Sequence, residues 1–412
     1  MPLDFRLERL RWSDALLGEV AFPNGRSMTL RSGFGSGLSR RPSDPPGRVW
    51  AISDRGPNVK VKDAVEKWEM EALRPRSHLP SARLMPRLDI GPEIAELQVM
   101  DGEVELVRTL RIATGDGRPV SGLPLPGGAH LASEPAFGMD GRALPPDPRG
   151  FDTEGIAALP DGGFWVADEF GPSLVRLDAE ARVTVRLVPE SVALEAPYPV
   201  EASLPAIAAR RQLNRGFEAV ALSPGGRWLL VAFQSPLAHP DKASHRAARH
   251  VRLWRLDAGT GAFAAQYLYP LDAPESFGRD IAAGGLTQAD IKLSEMVPLG
   301  GEALLVLERG AETTKLCRIE LAPERALPAE HLDVATRPTV EEHSGREGDF
   351  PLPALAKTLL FTSDHAPALP PDVEGMALLS ERALLLVNDN DFGVEGAETS
   401  FWKLSFDAPL LS

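Results

Sequence analysis

Apolar and polar positions follow one plan at least four times along this chain. A glutamate precedes a short apolar run. A turn rich in Gly, Pro or polar residues follows, a second apolar run returns, and a polar residue closes the unit. The first unit runs from Glu154 through Pro160-Asp161-Gly162-Gly163 to Asp168-Glu169. The second runs from Glu218 through Ser223-Pro224-Gly225-Gly226 to Gln234. The third runs from Glu295 through Gly300-Gly301 to Glu308, and the fourth from Glu374 to Asn388-Asp389. Apolar runs of this length, punctuated by turns, read as antiparallel hairpins. A third strand follows in each unit: 174–178, 251–257, 316–321 and 401–406.

A hairpin returns the chain to the end where it started. The leading Glu and the closing polar residue therefore share one end of their sheet. Repeated units of this kind predict an all-β fold, a β-propeller. Two earlier stretches, 48–56 and the hairpin within 83–113, bring the expected count to six blades, with seven left open by the unassigned region 114–150. The last unit lacks a fourth strand, and the strand-like residues 5–20 lack a blade. The N-terminal strand is thus expected to join the C-terminal blade, which removes an exposed sheet edge. Residues 1–412 read as one propeller domain, with long loops near 114–150 and 322–372. A turn or two of helix is expected within 62–73.

Composition narrows the partners. Formal charge is −14, which speaks against nucleic acid, because phosphate backbones need Lys/Arg stripes. The lone Cys317 excludes an internal disulfide and reads as a small core residue. No apolar run is long enough for a membrane span. The first dozen residues carry Asp4, Arg6, Glu8, Arg9 and Arg11, so the chain as it stands has no secretory apolar segment. Its expected location is cytoplasmic, or periplasmic or secreted where a leader has been removed.

The repeat also gathers charge. Glu154, Asp168, Glu218, Glu295 and Glu374 are expected around one end of the ring, with Asp54, Glu169, Glu308, Asp389 and Asp391 at the same level. Carboxylates confined together need a counter-charge. A divalent cation held by Glu154, Asp168, Glu218, Glu374 and Asp389 supplies it: calcium first, with manganese or magnesium as the other oxygen-seeking ions. The run Asn388-Asp389-Asn390-Asp391-Phe392-Gly393 is similar to a calcium loop without the EF-hand register. Arg55 and Arg309, beside Asp54 and Glu308, are placed to meet an anionic group. Glu169 or Asp54 is the expected general base. No GxSxG elbow, HExxH zinc motif, Walker loop or dinucleotide fingerprint is present.

These blocks resemble a known family. Ile52-Ser53-Asp54-Arg55-Gly56-Pro57-Asn58, Phe151-Asp152-Thr153-Glu154-Gly155-Ile156-Ala157 and Trp165-Val166-Ala167-Asp168-Glu169-Phe170-Gly171-Pro172 carry the likeness. So do Asn214-Arg215-Gly216-Phe217-Glu218, Leu307-Glu308-Arg309 and the Asn388 to Gly393 run. Together they are similar to the phytase-like domain family, whose members are named for "esterase-like activity of phytase". The likeness implies a β-propeller that hydrolyses phosphate or other esters, without fixing the substrate. The expected function is metal-dependent hydrolysis of a small, anionic ester by water activated at the axis, with Asp54, Arg55, Glu169 and Arg309 as catalytic residues. A metal-dependent lactonase, using Glu154, Asn388 and Asp389, is the competing enzyme. A non-catalytic binding propeller is the third reading.

Overall fold

The computed structural model describes residues 3–126, 134–346 and 348–410. Parts of both expected loops, residues 127–133 and 347, lie outside these. The fold is all-β and mostly sheet. Among the described residues, five sheets have four or more strands. Sheet I comprises Gly37–Ser39, Arg48–Ile52, Glu93–Met100 and Glu103–Arg111. Sheet II comprises Thr153–Ala158, Phe164–Asp168, Ser173–Leu177 and Val183–Pro189, with Val200–Leu204 added in parallel at its edge. Sheet III holds Phe217–Leu222, Trp228–Phe233, His250–Asp257 and Phe263–Pro270. Sheet IV holds Lys292–Gly300, Ala303–Arg309, Thr314–Glu320 and Lys357–Thr362. Sheet V holds Val373–Ser380, Ala383–Asn388 and Phe401–Phe406.

The fourth strand of sheet V is Phe5–Leu10, paired antiparallel from Phe5 opposite Phe406 to Leu10 opposite Phe401. The two ends of the chain thus share one sheet, as the sequence pattern requires. The first strands of sheets I to V neighbour one another in cyclic order, with sheet V returning to sheet I. The two early stretches expected as separate units form one sheet. Arg48–Ile52 pairs directly with Glu93–Met100, because the 40 residues between fold elsewhere. That intervening segment includes the helix Val61–Trp68, which falls where a helical turn was expected.

Each sheet is sandwiched between two neighbours, so its strands are buried on both faces and read as continuous apolar runs. Trp50, Ile52 and Ile94 of sheet I meet Ile156, Phe164 and Val166 of sheet II. Leu305, Leu307 and Leu316 of sheet IV meet Met376, Leu384 and Leu386 of sheet V. Val49, Ala51 and Leu97 close the circle against Ala377, Leu385 and Val387. Cys317 is fully buried in the cluster spanning sheets II to IV. A smaller cluster lies outside the ring. The hairpin Leu16–Ala21 and Ser27–Arg31 packs there with the helix Val61–Trp68 and Val394.

Candidate metal centre

Strand register decides which acids meet. In sheets II, III and V the first strand carries a bulge. Pairing jumps from Thr153 to Gly155, from Phe217 to Ala219 and from Val373 to Gly375. Glu154, Glu218 and Glu374 are the extra residues, set out of the ladder at corresponding places. Sheet IV jumps from Leu293 to Glu295, so Ser294 takes the bulge. Glu295 therefore stands one position out of phase with the other three glutamates. It is fully buried, and its carboxylate accepts from the amides of Leu38 (3.0 Å) and Met296 (2.9 Å). It links first strands across the bore and does not join the acidic cluster.

The second strands show the same parity. Asp168, Glu308 and Asn388 lie opposite Thr153, Leu293 and Val373. Their side chains turn back into the protein. Asp168 is sealed by Arg186 and Ser173 and accepts from the Asp152 amide at 2.7 Å. Glu308 accepts from the Tyr269 hydroxyl (2.6 Å) and Lys357 (2.6 Å). The expected metal ligand Asp168 is thus held by its own ion pair, away from the cluster. The residues one step further, Glu169, Arg309 and Asp389, sit at the ring end, and Asp54 holds the matching place in sheet I.

Glycine permits the convergence. A Cβ on Gly155 would stand 2.5 Å from the Glu218 carbonyl, and one on Gly37 2.9 Å from the Glu154 carbonyl. Side chains there would push the first strands apart, and the glutamates with them.

The result is a set of carboxylates around Asp54. One oxygen each from Asp54, Asp152 and Glu154 lies within 4.8 Å of the others. Asp54, Asp389 and Asp391 form a second trio on the same criterion. Glu169 and Glu374 continue the charge to either side of Glu218, whose carboxyl their negative charges push up. Of the residues expected as ligands, Glu154 and Asp389 lie in the trios, and Glu218 and Glu374 stand beside them. Asp152 and Asp391 complete them. Asp391 was expected at this level. Asp152 was not singled out; it immediately precedes the strand Thr153–Ala158, and the bulge at Glu154 brings the two carboxylates together.

Arg55 is enclosed. It bonds to Glu134, donates to Asn214 Oδ1 (2.7 Å), approaches Asp152 at 2.9 Å and lies over Phe170. It orients the carboxylates around it. Arg309 donates to Ser294 (2.8 Å) and Asp372 (2.8 Å) and pairs with Glu374. Lys292, opposite Arg309 in the ladder, forms no ion pair among the described residues. Arg215 donates to the Ala289 carbonyl at 3.0 Å. Sheet IV thus places the cations Lys292 and Arg309 where sheet II places Asp152 and Glu169.

Burial, then like charge, pushes these acids up. Asp54 and Glu169 rise to about 7. Asp152, Glu154, Glu218 and Asp389 stand well above the ordinary carboxylate range, and Glu374 and Asp391 also rise. Several buried oxygens have no hydrogen-bond partner: Asp152 Oδ2, Glu218 Oε2, Gln234 Oε1 and Ser36 Oγ, while Asp152 Oδ1 is met by Arg55. Orphaned oxygens and raised acids in one chamber fit a hard cation, whose ligands are oxygens.

Residues 31–392 match the family described as "Phytase-like: Esterase-like activity of phytase". An "Uncharacterized secreted protein" of Arthroderma benhamiae is 26% identical over 274 residues, 58% of this chain and 52% of that protein. The chain thus matches about half the length of that relative. Among solved structures, the PQQ-bound aldose sugar dehydrogenase of Streptomyces coelicolor aligns over 98% of this chain and 99% of its own, with 11% identity and a TM-score of 0.34. The Cps50 β-propeller domain of Myceliophthora thermophila aligns over 95% of this chain and 99% of its own, with 13% identity and a TM-score of 0.33.

Proposed function

The chain belongs to the phytase-like family described by esterase-like activity of phytase, and from its ring-end chemistry we propose a metal-dependent hydrolase of small anionic esters, built as one five-bladed propeller. One observation carries the reading: Asp54 belongs to both carboxylate trios, with the Asp152 carboxylate, ion-paired to Arg55 through one oxygen only, beside it. Asp54, Asp152, Glu154, Asp389 and Asp391 would hold one or two divalent ions, calcium above manganese or magnesium. A bound cation of this kind polarises an ester oxygen and lowers the pKa of water.

The chain's own groups supply the rest. Glu169, raised to about 7, is half ionised near neutrality and serves as general base. Its Oε1 accepts from the Gly216 amide at 2.9 Å, which fixes the carboxylate. Lys292 and Arg215, with Arg309 behind them, meet the anionic part of the substrate. Arg55 keeps Asp54 and Asp152 in place without reaching substrate.

The test is metal content and turnover together. Chelator-stripped protein should take up calcium with loss of the unfavourable carboxylate repulsion. It should hydrolyse p-nitrophenyl phosphate with the ion and not without it. A lactone used in preference to the phosphate ester would redirect the substrate assignment. Wild-type protein that binds no divalent ion would end the proposal.

A further inference from the structure

The end of the ring opposite the acids holds a separate cavity of about 470 Å³. All five first strands build it, with Leu38, Ile156, Val220, Met296 and Met376 among its walls. These side chains are almost fully buried. Exposed prolines of the hairpin turns, Pro160 and Pro224, form part of its rim. Glu295 is fully buried next to this cavity: its carboxylate accepts from the amides of Leu38 and Met296, both of which line it.

The volume falls in the range of small-molecule sites, roughly 300–1,000 Å³. The lining is mostly apolar, with Ser39, Arg40, Arg41 and Ser223 as its polar side chains; Arg41 is taken up by the Leu159 carbonyl and Asp44. Arg40 is half-buried. Its Nε donates to the Arg48 carbonyl (3.2 Å) and its Nη1 to the Leu378 carbonyl (2.8 Å). Nη1 also donates to the Leu379 carbonyl (3.2 Å); among the described residues Arg40 makes no ion pair, and Asp44, which pairs with Arg41 at 3.8 Å, is the carboxylate whose charge reaches it. A desolvated cation beside an apolar chamber favours a ligand with an apolar body and an anionic head.

We propose that this cavity is a second ligand site for a small amphipathic carboxylate, its chain among Ile156, Val220, Met296 and Met376 and its head on Arg40. The proposal does not depend on the metal reading. It is tested by isothermal titration of the full chain with octanoate in the presence of chelator. One octanoate per chain should bind, and octylamine should bind at least about tenfold more weakly. Arg40→Gln should weaken octanoate about tenfold, and Arg40→Lys should restore most of the loss. Leu378→Trp, which puts an indole into the chamber from a half-exposed position, should abolish binding even if Arg40→Gln folds poorly. Glu154→Gln, at the far end, should bind octanoate as the wild type does. No saturable binding, equal affinity for octylamine, undiminished affinity in Leu378→Trp, or loss in Glu154→Gln would overturn it.

Discussion

Asp54→Asn is the most informative single change, because this carboxylate belongs to both trios. Its folded pKa is raised from 3.8 to about 7, first by burial. A raised acid keeps its proton in the folded state after the unfolded chain has lost it. Without metal, folded stability should therefore fall as pH rises from about 4 to about 7 and level off above. At about 1.4 kcal/mol per pH unit, Asp54 alone accounts for up to about 4 kcal/mol of that fall. Asparagine does not titrate, so the metal-free variant should match the wild type near pH 4 and exceed it at pH 8. A bound ion reverses the order. Calcium at about a thousand times its Kd would add about 4 kcal/mol to the wild type and far less to the variant. Urea unfolding at pH 4, 6 and 8, with chelator and with calcium, reads both effects. A metal-free wild type whose stability is flat from pH 4 to 8, or a variant that calcium stabilises equally, would refute the reasoning.

Two further outcomes separate site from scaffold. Gly155→Ala places a Cβ 2.5 Å from the Glu218 carbonyl; it should cost about 1–3 kcal/mol in denaturant unfolding and weaken calcium binding by displacing Glu154 and Glu218. Arg186→Met leaves Asp168 charged and buried without its partner; a loss of about 3–5 kcal/mol is expected, whereas calcium affinity of the folded protein, measured by titration, should change little.

Much of the architecture was legible because hairpin spacing and turn chemistry are local. The units led by Glu154, Glu218 and Glu374 all became sheets with their glutamates at one end. The unpaired strand near the N-terminus found the last sheet because that sheet lacked an edge. Residues 48–56 and 83–113 misled the count. Their pairing skips a segment with its own helix, and no local signal marks such a long-range partner. At the site, Asp54, Glu154, Glu169, Arg309 and Asp389 were placed by repeat position. Asp168 and Glu295 were placed one residue wrong, and in a strand one residue reverses the face.

The amino-acid sequence by itself determined the kind of structure, since apolar runs closed by glycine and proline leave antiparallel sheet as the means of burying them. It also determined that acids would gather at one end, since a hairpin begins and ends at the same level. Tertiary structure decided which acids these are. The bulges before Gly155, Ala219, Gly375 and Glu295 arise from how first strands crowd around a narrow bore. That crowding turns Glu154 outward to the chamber and Glu295 inward to the amides of its neighbours. It depends on the distance between sheets far apart in the chain, a quantity that local pattern does not contain.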